Sequence, residues 1–292
     1  MTKRKRTYLR GGEIIDVEEY HDHEYGAPGK GRSKKEKPTP EQMRRKNAWN
    51  KARKCRQFLL EYFKPGDCLM TFTYKKEERP EDMTAAKKDF KAFMEKIRKV
   101  YTKRGKMLFW IRNIECGTRG GWHIHLVINE IGDTASIVQK AWKKGGVWSA
   151  EIRSSQYSDI DMKRLANYLT KDEHTREPKK DGNQGKPKIR ESSYSRSRNM
   201  ILPEPKVDKL THWKKETKPK KGYYIASIYE GINPVTGYHY RRYTMISLSA
   251  KKKSEEELER IRKRRKKKKI RQNSRNRKKT NTRKTGTFAK AK

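Results

Sequence analysis

Two histidines, His123 and His125, alternate with apolar residues in the segment Gly121–Asn129. A period of two is typical of a β-strand, so both imidazoles are expected on one face of a sheet and the apolar side chains on the other. Glu115, at the end of the preceding predicted strand Met107–Cys116, would face them across a hairpin. Two imidazole nitrogens and one carboxylate oxygen form a mixed ligand set that suits Mg²⁺ or Mn²⁺ and would also accept Zn²⁺.

A tyrosine and a lysine follow, three residues apart, near the end of the predicted helix Asp159–Lys171. Tyr168 and Lys171 would share a helix face with Arg164. A tyrosine has an ordinary pKa of about 10, so its deprotonation at neutral pH costs about 4 kcal/mol. A nearby ammonium and a metal-bound phosphate would offset much of that cost by favouring the phenolate. Tyr168 is therefore the candidate nucleophile; the alternative is that it covers the core while Lys171 complements the helix dipole.

The charge of the chain indicates a polyanionic partner. Its 292 residues include 77 Lys or Arg against 35 Asp or Glu, a formal net charge of +42. Each contact with a phosphate releases condensed counterions, so such an excess favours nucleic-acid binding. A membrane surface would also attract it, but no run of about 18 apolar residues and no signal peptide is found, and we expect a cytoplasmic protein with no membrane partner. Three cysteines without a C-x-x-C pair suit a reducing compartment and argue against a zinc finger.

These candidate residues need a sheet and a helix to position them. The predicted elements are strand Cys68–Tyr74, helix Thr84–Tyr101, strands Met107–Cys116 and Trp122–Asn129, helix Thr134–Lys143, strand Val147–Ile152 and helix Asp159–Lys171. The order β-α-β-β-α-β-α predicts an α+β fold of the ferredoxin-like, split βαβ type with an antiparallel central sheet. We expect helices on one face of this sheet, with the face that carries the histidines left free.

Composition divides the rest of the chain. We predict a flexible N-terminal segment at 1–38, a catalytic domain with a leading helix at 39–175, a polar linker at 176–221, an aromatic β-hairpin at 222–249 and a basic tail at 250–292. The leading helix has a capping-box start at Thr39–Gln42. The segment His21–Glu24 could chelate a metal but is interpreted as solvated tail. For the hairpin, an accessory element packed on the core is favoured over a surface that stacks single-stranded bases.

Three short motifs resemble one known family. His123-Ile124-His125 is similar to the histidine–hydrophobe–histidine motif of the HUH endonucleases. Leu69–Thr73 resembles their first strand motif, and Asn167–Lys171 resembles the Y-x-x-K motif of their single-tyrosine replication initiators. The motifs come in the family order across Cys68–Lys171. Ser195–Asn199 is also similar to the segment that follows the nuclease domain in phage and plasmid relatives from Gram-positive bacteria.

This resemblance implies a site- and strand-specific endonuclease that initiates rolling-circle replication. The protein would nick one strand at an origin, keep the 5′ end on Tyr168 and free a 3′-OH for a polymerase. Glu115, His123 and His125 would bind Mg²⁺ or Mn²⁺, and Lys171 would assist Tyr168. The implied partners are single-stranded or locally melted origin DNA and the helicase and DNA polymerase of a bacterial host. No Y-x-x-x-Y pair and no G-x-x-x-x-G-K-[ST] motif occurs, so no fused helicase is expected.

Two further hypotheses stay open at this point. A transposase or relaxase would use the same chemistry for mobilisation and would share every motif, so only the substrate separates it from a replication initiator. A basic nucleic-acid-binding protein without catalysis would leave Glu115, His123, His125 and Tyr168 as a coincidence of spacing and order. The formation of a covalent adduct with DNA would distinguish the catalytic hypotheses from the last one.

Overall fold

The computed structural model describes residues 2–21, 38–152, 162–172, 176–178, 184–232, 238–253, 255–256, 259–260 and 263. The chain divides into two compact units, Met1–Leu248 and Ser249–Lys292. All β-strands in the described residues lie in the first unit. None of the helices found there is long and apolar enough to span a lipid bilayer.

The first unit is α+β and contains two antiparallel sheets of five strands each, with a separate two-stranded ribbon. In chain order its strands and α-helices are β1 (Thr2–Leu9), β2 (Ile14–His21), α1 (Pro40–Tyr62), β3 (Cys68–Thr73), α2 (Met83–Lys103), β4 (Trp110–Cys116), β5 (Trp122–Ile128), α3 (Thr134–Ala141), β6 (Val147–Glu151), α4 (Lys163–Thr170), β7 (Arg176–Pro178), β8 (Gln184–Pro187), β9 (Glu191–Arg196), β10 (Lys206–Leu210), β11 (Tyr223–Ile232) and β12 (His239–Ser247). Two short 3-10 turns cover Arg10–Gly12 and Lys76–Glu78.

The sheet that carries the histidines, here called the central sheet, has the strand order β6-β3-β5-β4-β9. Its first four strands, with α2 and α3 between them, form the predicted β-α-β-β-α-β unit, and every neighbouring pair is antiparallel. The predicted split βαβ arrangement is therefore confirmed. β5 occupies the centre of this sheet, so residues on it have neighbours on both sides.

One face of the central sheet packs on α2 and α3. The alternating apolar residues of β5 face this side, together with the aromatic stripe of α2. The ring of Phe72 on β3 lies edge-on to Phe93 of α2 at 5.1 Å and to Trp142, just after α3, at 5.2 Å. α2 begins at Asp82, whose carboxylate accepts a hydrogen bond from the backbone N–H of Ala85 at 2.7 Å. The period-two and period-3.6 patterns thus converge on one apolar core.

The opposite face of the central sheet is not free, and that prediction is wrong. α1 and α4 pack against it, and Ile111 and Val127 on this face are fully buried. The guanidinium of Arg196 on β9 lies 3.9 Å from the centre of the Phe58 ring on α1. A free face would have left an apolar stripe of α1, around Phe58 and Leu59, in contact with water, and burying it against the sheet removes that cost.

α1 begins as predicted. The hydroxyl of Thr39 accepts a hydrogen bond from the N–H of Gln42 at 3.2 Å, and the Gln42 side chain accepts one from the N–H of Thr39 at 2.9 Å. Further along, α1 also contacts β2, because Arg56 is paired with Asp16 and the side-chain amide of Gln57 donates to the same carboxylate at 2.8 Å. The helix therefore lies between the central sheet and a second sheet.

The second sheet, with the order β10-β1-β2-β12-β11, corrects the prediction for the N-terminal segment. Residues 2–21 of the segment expected to be flexible form β1 and β2, whereas 22–37 lie outside the described residues. These strands bury polar residues, including Asp16 and Glu19, and hydropathy patterns do not register such strands. Arg241 of β12 lies 2.9 Å from Glu19, so the buried carboxylate is paired. His21 is part of β2, and its ring stacks on Trp213 at 5.5 Å.

The predicted polar linker also contains strands. β9 extends the central sheet beside β4, and β10 extends the second sheet beside β1. Both are edge strands held by backbone hydrogen bonds, which leave no apolar periodicity to recognise. The predicted hairpin is confirmed as β11 and β12, and β12 pairs with β2, so the hairpin is an integral part of the second sheet. Its turn, 233–237, lies outside the described residues.

Candidate active site

The hairpin of β4 and β5 aligns the carboxylate with the histidines. Glu115 is directly opposite His123 in the register, and Asn113 is opposite His125. The connection is closed by a hydrogen bond from the N–H of Gly117 to the carbonyl of Gly121 at 2.8 Å. Because one strand face alternates with the other, this register puts both histidines and the carboxylate on the face that α4 covers.

Glu115 and His125 are in direct contact. Nε2 of His125 lies 2.9 Å from Oε1 of Glu115, and both side chains are buried. On the other neighbouring strand, Oγ1 of Thr71 lies 3.1 Å from Nδ1 of His125. The imidazole is thus held from both sides by cross-strand neighbours, which fixes its orientation.

Tyr168 reaches this imidazole from α4. Its hydroxyl lies 2.9 Å from Nδ1 and 3.0 Å from Nε2 of His125, and the two rings meet edge to face at 4.7 Å. α4 presents Leu165 and Leu169 to the core, which directs Tyr168 along the same face of the sheet. The tyrosine is only partly buried, so its hydroxyl stands at the boundary between the sheet and solvent.

Lys171 completes the group from the end of α4. Its Nζ lies 2.6 Å from Oε2 of Glu115 and 4.5 Å from the centre of the Tyr168 ring. The hydroxyl of Ser192 on β9 donates a hydrogen bond to the backbone carbonyl of Lys171 at 2.9 Å, which anchors the residue that follows the helix. One carboxylate, one imidazole, one phenol and one ammonium therefore form a contiguous set.

His123 lies beside this set. Its ring centre is 6.3 Å from that of His125, and its side chain is half-buried. Across the part of the chain that the structure describes, no three His, Cys, Asp or Glu side chains are grouped closely enough to hold a metal ion. The structure thus joins four of the five predicted site residues and leaves His123 adjacent. The metal site stays a prediction.

The protonation states nevertheless suit metal binding. Burial raises the pKa of Glu115, but the hydrogen bond to His125 and the ion pair with Lys171 outweigh it and hold the pKa at about 2. Burial and the neighbouring His125 lower the pKa of His123, with Glu115 acting in the opposite direction. An ionised carboxylate and a neutral imidazole at pH 7 are the forms that bind a divalent metal, so the donor set fits the group.

Sequence patterns missed three neighbours of the site. Thr71 and Ser192 make the contacts described above, and Asn113 lies fully buried beside them. Within the described residues, neither the oxygen nor the nitrogen of the Asn113 amide has a hydrogen-bond partner. The register of β3, β4 and β5 would identify Thr71 and Asn113 as neighbours of His125, since both are its direct cross-strand partners. No sequence signal pointed to Ser192.

Comparison with known proteins adds one match. Residues 67–173 match a family model that describes replication-associated proteins of the ORF2 type. This segment runs from the start of β3 to just beyond α4 and contains every residue of the candidate site. Neither the curated proteins nor the solved structures include a match to the chain. The family match supports a replication-associated protein of the initiator kind.

Proposed function

We propose that the protein is a DNA endonuclease and strand transferase that initiates rolling-circle replication through a 5′-phosphotyrosine intermediate. The observation that carries this proposal is the position of Tyr168, whose hydroxyl lies within 3.0 Å of His125 while its ring lies 4.5 Å from the ammonium of Lys171. The match of 67–173 to replication-associated proteins and the net charge of +42 support the same proposal.

The reaction is a transfer of one phosphodiester. Oη of Tyr168 attacks the phosphorus, the Oη–P bond forms, and the P–O3′ bond breaks. The tyrosine proton is lost to solvent, and the departing 3′ oxygen takes up a proton to become a 3′-OH. The 5′ side stays on the enzyme as a phosphotyrosine, so the bond energy is conserved. Attack by a 3′-OH on this phosphotyrosine reverses each change and joins the strands.

Lys171 and Glu115 have complementary roles in this step. The ammonium of Lys171 stabilises the negative charge that develops on Oη of Tyr168, which lowers the cost of forming the phenolate. Glu115 binds Lys171 at 2.6 Å and His125 at 2.9 Å, so it orients both groups towards the tyrosine. The buried position of Glu115 keeps this arrangement fixed before DNA arrives.

Glu115, His123 and His125 are the residues that would hold Mg²⁺ or Mn²⁺. When bound, such an ion would neutralise charge on the scissile phosphate and act as a Lewis acid. Both ions accept oxygen and imidazole ligands and leave positions for phosphate oxygens. His123 adjoins the carboxylate through the Glu115–His123 register, so the three donors lie on neighbouring positions of one sheet face.

The substrate of this proposal is single-stranded or locally melted origin DNA. Tyr168 lies on a half-buried part of the sheet face between α4 and β5, and a phosphodiester must approach it without a paired strand in the way. A host helicase would supply the melted strand, and a host DNA polymerase would extend the 3′-OH. A transposase or relaxase would use the same steps, but the family match favours replication.

A covalent-adduct assay tests the proposal. Single-stranded oligonucleotides that tile the DNA encoding the protein are incubated with it in the presence and absence of Mn²⁺. We expect a Mn²⁺-dependent adduct that mass spectrometry maps to Tyr168, and none with Tyr168→Phe, which keeps the ring. Tyr194→Phe is the matched control, because Tyr194 lies on the same sheet face but burial and its contact with Cys55 raise its pKa. Binding without any adduct on any tyrosine would instead indicate a non-catalytic DNA-binding protein.

A further inference from the structure

A cavity of about 290 Å³ lies on the other side of α4, between that helix, α1 and the second sheet. Trp49 and Arg53 line it from α1, Lys163 from α4, Tyr229 from β11 and Arg242 from β12. The residues from α1 and the second sheet lie outside the segment that matches the replication-associated family. The volume is near the lower end of the range of about 300–1,000 Å³ for small-molecule pockets, which suits a single nucleotide.

The cavity carries an excess of positive charge. Its lining includes the cations Arg53, Arg56, Lys163 and Arg242 and a single carboxylate, Asp16. Arg53 and Arg242 both bind one further carboxylate, that of Glu18, at 2.8 Å and 3.0 Å. Nη1 of Arg242 is buried and has no hydrogen-bond partner among the described residues. A buried guanidinium N–H without an acceptor is costly, and a phosphate oxygen is the acceptor that best suits it.

Two aromatic rings stand at the same cavity. Trp49 is 39% exposed although the guanidinium of Arg242 lies 3.1 Å from the centre of its ring. Tyr229 is 50% exposed, with Nζ of Lys163 at 5.4 Å from its ring centre. Exposed aromatic rings next to cations are the combination with which proteins bind single-stranded nucleic acids, because bases stack on the rings while the backbone meets the positive charge.

α4 connects this cavity to the candidate active site. Asn167 lines the cavity, whereas the next residue, Tyr168, faces His125 on the other side of the helix. Successive residues of a helix point about 100° apart, so one short helix serves both places. An occupant of the cavity would therefore contact the helix that positions the nucleophile.

We propose that this cavity binds one nucleotide of the single-stranded DNA that flanks the cleaved position. The base stacks against Trp49 and Tyr229, and a phosphate meets Arg242 and Lys163. This inference rests on the proposed function, since it assigns the cavity to the same DNA strand. It extends the DNA interface beyond the central sheet to α1 and the second sheet, and gives those elements a part in holding the strand.

Photochemical crosslinking tests the inference on the full-length protein. Tyr168→Phe is used so that the DNA stays intact, and the probe is an oligothymidylate of about 20 nucleotides that contains 5-iodouracil. We expect crosslinked peptides that contain Trp49 or Tyr229. Tyr229→Ala and Trp49→Ala should each weaken binding of the same probe by about 5- to 150-fold, the range for loss of one stacked base. Trp49→Phe should retain most of the affinity.

A pair of lysine variants separates the cavity from general electrostatics. Lys163→Gln should weaken binding more than Lys99→Gln, which removes the same charge from an exposed position of α2 on the opposite side of the central sheet. Circular dichroism and thermal unfolding verify that each variant is folded. Equal effects of the two lysine variants, with unchanged affinity of Trp49→Ala and Tyr229→Ala and crosslinks only elsewhere, would overturn the inference.

The two proposals fail in different ways. A wild-type adduct on Tyr168, combined with no crosslink to the cavity and unaltered affinity of the cavity variants, overturns the cavity inference and leaves the proposed function intact. A crosslink to Trp49 or Tyr229 without an adduct on any tyrosine supports the cavity as a site for single-stranded DNA and overturns the proposed nicking. If the cavity variants bind the probe normally but lose binding to a host protein, the cavity belongs to a protein partner and the inference fails.

Discussion

The ammonium of Lys171 lies 2.6 Å from the carboxylate of Glu115, so the end of α4 is joined to the β4–β5 hairpin by an ion pair that is largely buried. The same ammonium lies 4.5 Å from the ring of Tyr168. Lys171 can therefore link the orientation of Glu115 to the charge of the phenolate. Because the partner is a buried carboxylate, removal of the cation leaves an uncompensated charge beside His125.

Replacement of Lys171 by Met should slow DNA cleavage by about 100- to 1,000-fold, the range for loss of one charge-stabilising group. Lys171→Arg keeps the charge and should retain more activity than Lys171→Met. The measurement is the single-turnover rate of adduct formation with Mn²⁺. Lys99→Met, on the exposed side of α2, is the control and should cleave at the wild-type rate. Equal rates for Lys171→Met and the control would contradict the assigned role.

Removal of either histidine should abolish cleavage and leave most DNA affinity, because the basic surface supplies the binding. His123→Ala and His125→Ala are compared with His212→Ala, an exposed histidine outside the site. Chelation by EDTA should stop the wild-type reaction, and added Mn²⁺ should restore it. Cleavage by either site variant at the wild-type rate without metal would refute the metal assignment. The binding of Mn²⁺ by calorimetry gives a second measure that does not depend on activity.

Asp67 should make stability depend on pH. Burial raises its pKa from 3.8 to about 6, despite hydrogen bonds from the N–H groups of Glu130 and Lys64. The folded state therefore binds the proton more tightly than the unfolded state. This contribution is complete below about pH 4 and is lost as the pH rises through about 6, a change of about 3 kcal/mol. Denaturant unfolding across this range should show wild type losing stability relative to Asp67→Asn.

An exposed carboxylate supplies a control of opposite sign. The hydrogen bond from Arg104 lowers the pKa of Asp133, so its contribution is present above its ordinary pKa and is lost as the pH falls. The pH dependence of Asp133→Asn relative to wild type should therefore run the other way. A stability difference between wild type and Asp67→Asn that does not change with pH would show that Asp67 is ionised throughout.

Gly145 should not tolerate a side chain. A methyl carbon there would lie 2.7 Å from the carbonyl carbon of Thr73 and 2.9 Å from Cα of Tyr74, and closer still to the Thr73 carbonyl oxygen. These are backbone atoms of β3 and its continuation, so they cannot rotate away. Gly145→Ala should lower the free energy of unfolding by about 2 kcal/mol or more. Gly117→Ala is the control, because its methyl would meet the nearest atom at 3.6 Å, an ordinary contact.

The basic tail should strengthen DNA binding without selecting the cleavage site. Residues 251–292 contain 21 Lys or Arg and four Glu, a formal charge of +17. Deletion should weaken binding nearly uniformly across sequences and leave the position of the nick unchanged. The slope of log affinity against log salt should become shallower by about 0.7 to 0.9 for each phosphate that the tail neutralises. An unchanged slope would indicate a solvated appendage or a protein-binding segment, and a lost choice of site would place base recognition in the tail.

The sequence by itself determined the central sheet and the residues that approach its centre. Alternation over Gly121–Asn129 specifies the faces of β5, and the short connection after Cys116 sets the register of the hairpin, so the spacing alone places Glu115 opposite the histidines. The capping box at Thr39 likewise depends on residues three apart. These features are local, and local geometry is written in the spacing of residues.

Only the tertiary structure decided how the remaining elements enclose that site. The second sheet joins strands from the two ends of the first unit, and α1 lies between the two sheets. The contact between Lys171 and Glu115 depends on how α4 packs across β4 and β5. β1, β2, β9 and β10 are held by backbone ladders and by buried charge pairs such as Glu19 with Arg241, and both depend on partners far away in the chain. Hydropathy records which residues avoid water, but it does not record which distant strand will satisfy a buried carboxylate or an open sheet edge.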